Sequence, residues 1–476
     1  MALHEDRIAR PLKTGPQRRL NSDCHVGGYQ PNVLAIKVGW SKGDVLILAA
    51  IRSCWKTAWA RISEHPLARV GPGLITGVAD DDPSGIATYS QAGAQFGLNM
   101  LWTMPLAFPL MAAVQSMCAQ IGRVTGKGLA ANIKAHYPRP VLYTVVFLLL
   151  AANTLNIAAD IAAMAETSQL VLGWNRHFLT ISFALLTLLL QVFIPYHRYV
   201  YLLKWLTLSL LAYVAVLFTV HVPWSQVALR TIWPHLAFNA GTAMVVVGVF
   251  GTTISPYLFF WQASEEVEDM MAKPDTRRLL DQPQAAIKEL RRIKWDTWSG
   301  MFYSNITAFF IILATAVTLH AAGISDIQTA AQAANALRPL AGEFTFILFA
   351  LGIMGVGLIG VPVLAGSAAY AVSEAVGWKW GLERTATDAR GFYGVIAGSV
   401  LAAIILEYSP LSPMKALFFS AVINGLVAVP LMVVLVVMAS SRRVMGAFAV
   451  SMNLRLLGWI ATAVMGFAAV MMFVPS

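Results

Sequence analysis

Three consecutive carboxylates, Asp80, Asp81 and Asp82, are followed at once by Pro83, Ser84 and Gly85, and all six fall inside the long apolar stretch 71–95. In hydrocarbon a charged side chain costs at least ~2.5 kcal/mol even on the mildest scale, so acids in such a place are where function is sought. Pro83 lacks an N–H and disfavours helix at Asp82, while Gly85 permits unwinding. A helix through these residues should therefore break and leave carbonyl oxygens free. Free carbonyls beside a carboxylate form a cation site.

A second break is written at Gly248, Val249, Phe250, Gly251, Thr252, Thr253, Ile254, Ser255, Pro256 and Tyr257, with Pro256 again in mid-stretch and hydroxyls on both sides of it. Asp82 is the expected anchor of the cation. Gly85 and Thr252 are expected to add backbone carbonyls, and Ser255 and Tyr257 an oxygen or a bridging water. Asn424, beside Gly425, is a further candidate to complete the site. Asp80 and Asp81 line an inner vestibule or face water in a cavity open to the inside. Asp160 and Glu166 are expected inside the bundle, on a proton path or in structural hydrogen bonds. The bland alternatives are an Asp-Pro that only caps a half-helix and small polar residues that only pack helices.

The elements that must position these residues are membrane helices. Of the 476 residues, 57% are hydrophobic and only 12% charged, with a mean hydropathy of +0.64. That is far more apolar than a soluble domain with a charged surface. Apolar runs mostly longer than the roughly 18 to 20 residues that cross a bilayer as helix follow one another. They read as eleven spans near 71–95, 98–122, 141–172, 177–195, 200–221, 237–263, 297–321, 341–375, 391–407, 413–439 and 454–474. They do not alternate with period two, which favours a helical bundle over a barrel.

The net charge of +10 could point to nucleic acid, but its placement points elsewhere. Of 34 Lys and Arg, all but Arg176, Arg230, Arg338 and Lys415 fall in the N-terminal segment and every second connection after it. This is the positive-inside pattern, with the N-terminus in the cytoplasm and the C-terminus outside. Residues 1–43 are polar and broken by Pro and Gly and are expected to be a disordered cytoplasmic tail. Residues 44–70 mix Leu, Ile and Trp with Arg52, Lys56 and Arg61 and suit a helix lying on the inner surface, or plain linker. The acidic run Glu265, Glu266, Glu268 and Asp269, and likewise Glu374, are expected at solvated helix ends.

Breaks in spans one and six are what a five-plus-five inverted repeat requires, with the substrate between them. The first repeat would run over 71–222 and the second over 237–440, with residues 453–476 an eleventh helix outside the repeat. Gly355, Val356, Gly357, Leu358, Ile359 and Gly360 match a dinucleotide fingerprint as a string, but inside a long apolar helix they read as close helix packing. Cys24, Cys54 and Cys118 have no metal-ligand spacing.

With these residues in view, the chain resembles the natural-resistance-associated macrophage protein (NRAMP) metal transporters over 71 to about 440. The likeness rests on Gly71, Pro72 and Gly73, the Asp82–Pro83 break, Gln91 to Ala94, Gly126 after Val124 and Thr125, and the Gly251 to Tyr257 break. It implies an all-α integral membrane protein of the leucine-transporter fold. The family's Asp-Pro-Gly-Asn is here Asp82, Pro83, Ser84 and Gly85, so the asparagine amide is missing. Its Met-Pro-His is here Ser255, Pro256 and Tyr257, so a hydroxyl stands for the thioether and a phenol for the histidine.

Oxygen donors suit hard ions and sulfur softer ones. These departures resemble the NRAMP-related magnesium transporters and favour magnesium over manganese, as transported substrate and not as resident cofactor. The family's third-span acidic pair is here Asp160 with Ala163, and Glu166 one further turn along, which with Tyr257 implies weak or absent proton coupling. The rivals are a proton-coupled manganese or iron importer and an organic-cation or amino-acid symporter of the same fold. No enzyme constellation is evident and no nucleic-acid partner is expected. A monomer in a bacterial inner membrane is the remaining expectation.

Overall fold

A computed structural model describes residues 72–194, 206–235, 239–273, 275–407 and 412–474. The expected tail 1–43 and interfacial segment 44–70 lie outside the described residues, as do 200–205 of the expected fifth span. Among the described residues there are helices and connections and no strand.

The first expected span is two helices, α1 (Pro72–Asp80) and α2 (Pro83–Phe96), parted at Asp81 and Asp82. The cause is local: Pro83 occupies the first turn of α2, where a missing N–H is harmless, and Asp82 takes an extended ψ of 172°. There follow α3 (Thr103–Thr125), α4 (Leu129–His136), α5 (Arg139–Leu172), α6 (Arg176–Phe193) and α7 (Leu211–Val216). After the short α8 (Trp224–Ile232), the second break divides α9 (Ala240–Thr253) from α10 (Pro256–Met271), again with a proline opening the second half.

The chain continues as α11 (Ala286–Thr315), α12 (Ala330–Ala334), α13 (Thr345–Val376), α14 (Arg390–Glu407), α15 (Pro413–Ser440) and α16 (Met452–Met471). Eight helical stretches among the described residues are long and apolar enough to cross a membrane. The helix at Arg390–Leu406 is apolar but shorter, and of the two broken helices α9 with α10 is among the eight while α1 and α2 are each too short. Two helices outrun their expected limits: α10 continues to Met271, and α11 begins at Ala286. Hydropathy marks only the lipid-crossing part of a helix, whereas the hydrogen-bonded ladder runs on into polar residues such as Lys288 and Glu289.

Polarity is distributed as a bilayer demands. Phe147, Phe193, Phe218 and Ile405 stand exposed on the outside, while Asp80, Asp81, Asp82 and Asp160 are buried. The halves of the two broken helices lie against each other, α10 on α1 and α9 on α2. Intact helices hold them there: α11 packs on α1, α15 on α9, α3 on α10, and the long α5 lies along α13. At the α9–α15 crossing the backbones meet, since a methyl group on Gly251 would fall 2.2 Å from the Ala421 carbonyl oxygen.

Two expectations about the inner ends are corrected. Glu374 is not solvated; it is 4% exposed and accepts from the Ala131 N–H at 3.0 Å and Ser264 Oγ at 3.3 Å. It thereby satisfies the unpaired N–H groups that open α4. In the acidic run only Asp269 behaves as a solvated end, paired with exposed Lys273. Glu266 is buried and bound by Arg292 Nη2 at 2.5 Å, and Glu268 accepts from Tyr370 Oη at 2.7 Å and from the Leu382 N–H at 2.9 Å. Arg292 and the buried Arg123 both also hold Glu289 at 3.2 Å, so α3, α10 and α11 are tied together at this end. A carboxylate at a helix end is solvated only if no neighbouring helix overhangs it, which one helix's sequence does not record.

Candidate metal site between the broken helices

The carboxylate of Asp82 sits in the first gap and is about 1% exposed. Its Oδ1 accepts from Ser84 Oγ at 2.6 Å and from the Gly85 N–H at 2.8 Å, the side-chain cap that α2 needs at its start. Its Oδ2 faces the other way and accepts from Asn156 Nδ2 at 2.9 Å and from Tyr257 Oη at 3.3 Å. Capping and site formation are thus divided between the two oxygens: one fixes the carboxylate, and the other looks into the space between α1, α5 and α10.

Tyr257, wholly buried in the first turn of α10, also stands 3.3 Å from the Ala79 carbonyl oxygen. That carbonyl lies one residue before the end of α1, where the break removes the N–H that a continuous helix would supply. Asp82 Oδ2, Ala79 O and Tyr257 Oη are therefore three oxygens from both broken helices on one spot. A single formal charge among neutral oxygens suits an ion that must leave as well as enter.

The remaining candidates divide. Gly85 lies within α2 and reaches Asp82 through its N–H, and the carbonyl found beside Asp82 and Tyr257 is that of Ala79. Lack of a side chain at Gly85 makes room for Thr252 Oγ1, which has no well-formed hydrogen bond among the described residues, the Tyr89 hydroxyl being the group directed toward it. Ser255 turns its hydroxyl back onto the Gly251 and Thr252 carbonyls at 2.9 and 2.6 Å. Those are the orphan acceptors that end α9, and they claim the hydroxyl that was expected to face the ion. Asn424 is 1% exposed, and both its amide atoms lack a partner among the described residues. Its neighbour Gly425 is the residue against which Gly251 packs.

Asp80 and Asp81 turn to α11 instead, where Ser304 Oγ lies 2.5 Å from Asp80 Oδ2 and 3.0 Å from Asp81 Oδ1. Asp160 comes to the far side of Asp82. A methyl group on Gly360 would lie 3.1 Å from Asp82 Cβ and 3.9 Å from Asp160 Oδ2, so the bare backbone of α13 is what lets the two acids approach. Gly357 likewise gives way to Pro83 and Met164, so the glycine string of α13 lines the break. Both Asp160 oxygens lack a well-formed hydrogen bond among the described residues, the Ser84 N–H being the donor directed toward them. Glu166 is not brought to this group; it accepts from the Ala330 N–H at 3.0 Å and fastens α12.

Sequence reasoning missed Ala79, Asn156, Ser304 and Ser420. Asn156 alone carried a local signal, standing one helical turn before Asp160 on the same face of α5.

Residues 73–475 match the family described as natural resistance-associated macrophage protein-like. A divalent metal cation transporter, MntH, of Klebsiella pneumoniae (strain 342) is 26% identical over 410 residues, covering 84% of this chain and 92% of that protein. Among solved structures, the Eremococcus coleocola manganese transporter in complex with an aromatic bis-isothiourea substituted compound aligns with a TM-score of 0.67 at 17% identity, covering 84% of this chain and 85% of that one. Mhp1, a nucleobase-cation-symport-1 family transporter, aligns with a TM-score of 0.54 at 12% identity, covering 84% and 92%. These structural likenesses establish the fold, a leucine-transporter-like membrane bundle, as the two breaks led one to expect.

Proposed function

Since the chain belongs to the natural resistance-associated macrophage protein-like family, whose members carry divalent metal ions, we propose that it moves a hard divalent cation, magnesium ahead of manganese, by alternating access. The observation that carries this reading is the convergence of Asp82 Oδ2, Tyr257 Oη and the Ala79 carbonyl from two interrupted helices. All three are oxygens, the donor type that suits magnesium, manganese and calcium better than softer metals. The nearby thioether of Met164 packs on Gly357. Asp82, Tyr257, Thr252 and Asn424 are the side chains assigned to the ion, with Ser255 shaping the end of α9.

Proton coupling is weak or absent in this reading. It is supported by Ala163 at the position of the second acid, by Glu166 being engaged at Ala330, and by a phenol at 257 in place of an imidazole. The charge distribution supports an inner-membrane protein with a cytoplasmic N-terminus. One observation favours the rival, a proton-coupled manganese importer: Asp160 is a buried acid beside Asp82 without a well-formed hydrogen bond among the described residues.

Proteoliposomes given magnesium, manganese or cadmium, with a trapped pH dye, decide between them. Magnesium and manganese should enter without acidification of the lumen. Entry of cadmium but not magnesium, or an acid shift that follows metal entry, would overturn the respective part.

A further inference from the structure

We infer that Asn156 is a ligand of the transported cation, its side-chain amide turning over when the ion arrives; this rests on the site proposed above. Asn156 is fully buried on α5 and is held at both ends of its amide. Nδ2 donates to Asp82 Oδ2 at 2.9 Å, and Oδ1 lies 2.6 Å from Ser420 Oγ on α15. Oδ2 accepts from both Asn156 Nδ2 and Tyr257 Oη, which occupies both of its lone pairs, so a cation bound there displaces a donor, and the amide is the one that can offer an oxygen in exchange. An amide does so without leaving its place, because rotation by half a turn exchanges nitrogen for oxygen.

Ser420 is built to accept either orientation. Its hydroxyl has one proton but two acceptors, Asn156 Oδ1 at 2.6 Å and the Leu417 carbonyl at 2.7 Å. With the amide turned, the proton goes to Leu417, a lone pair of Ser420 accepts from Nδ2, and every polar group of the relay is satisfied. What is then unfavourable is Asn156 Oδ1 facing Asp82 Oδ2, two oxygens with no proton between them, and a cation removes that repulsion. The amide therefore has two settings, and occupancy of the site selects between them.

The spacing fits the ion without movement of either helix. Neighbouring ligands of an octahedral magnesium with bonds of about 2.0–2.1 Å are about √2 times farther apart, or about 2.9 Å. The separation between the Asn156 amide and Asp82 Oδ2 is 2.9 Å.

The test is calorimetric titration of manganese and of magnesium into the purified full chain, with thermal unfolding followed in parallel. Asn156→Leu should weaken both ions about tenfold or more, the size of effect typical of groups that set a metal site. Ser420→Ala should produce a smaller loss. Asn156→Asp keeps an oxygen in place but no donor, so saturating manganese should raise its melting temperature by more than it raises that of wild type. A merely structural asparagine would show no such rescue.

Wild-type affinity in Asn156→Leu would overturn the assignment, as would an Asn156→Asp protein that is folded but no longer stabilised by metal. If the wild type itself binds neither ion, the proposed function fails and this inference with it; indifferent Asn156 variants of a binding wild type sink this inference alone.

Discussion

Tyr257 Oη stands 3.3 Å from Asp82 Oδ2 and 3.3 Å from the Ala79 carbonyl, so the second broken helix touches both sides of the gap in the first. The phenol has one proton for two acceptors, and its oxygen remains free to face an ion. Tyr257→Phe keeps the ring and removes that oxygen. A neutral polar contact is worth about 1 kcal/mol, so magnesium and manganese should bind about fivefold more weakly, as read by titration calorimetry. Tyr257→His puts an imidazole there, and cadmium uptake should rise relative to magnesium. An unchanged ratio would mean that position 257 does not face the ion.

The backbone contact between α9 and α15 is the tightest constraint on the second break. Gly251→Ala places a methyl group 2.2 Å from the Ala421 carbonyl, against backbone that cannot swing aside. Overpacking of this kind costs about 1–3 kcal/mol where it can relax at all. The variant should melt well below wild type or fail to purify as a monodisperse species. Wild-type stability would show that the two helices are not so closely joined.

Glu374 closes the start of α4 from α13. Glu374→Ala removes the acceptor of the half-buried Ala131 N–H, at a cost of about 1 kcal/mol for a group that water can partly satisfy. Hydrogen exchange should accelerate at residues 128–132 before it does in α5, and the melting temperature should fall. Exchange unchanged at 128–132 would place the cap elsewhere.

Arg292 is the counter-charge of the buried Glu266, and it shares Glu289 with Arg123. Arg292→Ala should destabilise by about 3–5 kcal/mol, because an ion left alone in a buried position is the costly state. Arg292→Leu combined with Glu266→Leu removes both charges and should recover much of that loss. If the double variant is as unstable as the single one, the pair matters for something other than its charge.

What was legible in the sequence was what proline and glycine dictate locally. Pro109, Pro362 and Pro430 lie inside unbroken helices, so proline alone does not make a break; Pro83 and Pro256 stood out because Asp82 precedes the one and hydroxyls flank the other, and both breaks were legible on that combination. The destination of an orphaned polar group is another matter, since it depends on which helix passes by. Gly85 was expected to offer a carbonyl and offers its N–H, because α2 resumes as soon as Pro83 starts it and Asp82 caps it. Ser255 was expected to face the ion and faces the end of α9. Asn156 and Ser304 lie 74 and 224 residues from the aspartates they touch, a separation no local pattern spans. Asp160 was legible as an interior acid, yet its closeness to Asp82 depends on Gly360, a residue that read only as packing.

The central claim is that Asp82, buried and facing the space between two interrupted helices, holds the divalent ion. It is tested most directly by titrating magnesium and manganese into purified wild type and Asp82→Ala while confirming by thermal unfolding that both are folded. Saturable binding to the wild type and none to the variant is the expected result. Equal binding by the two proteins would contradict it.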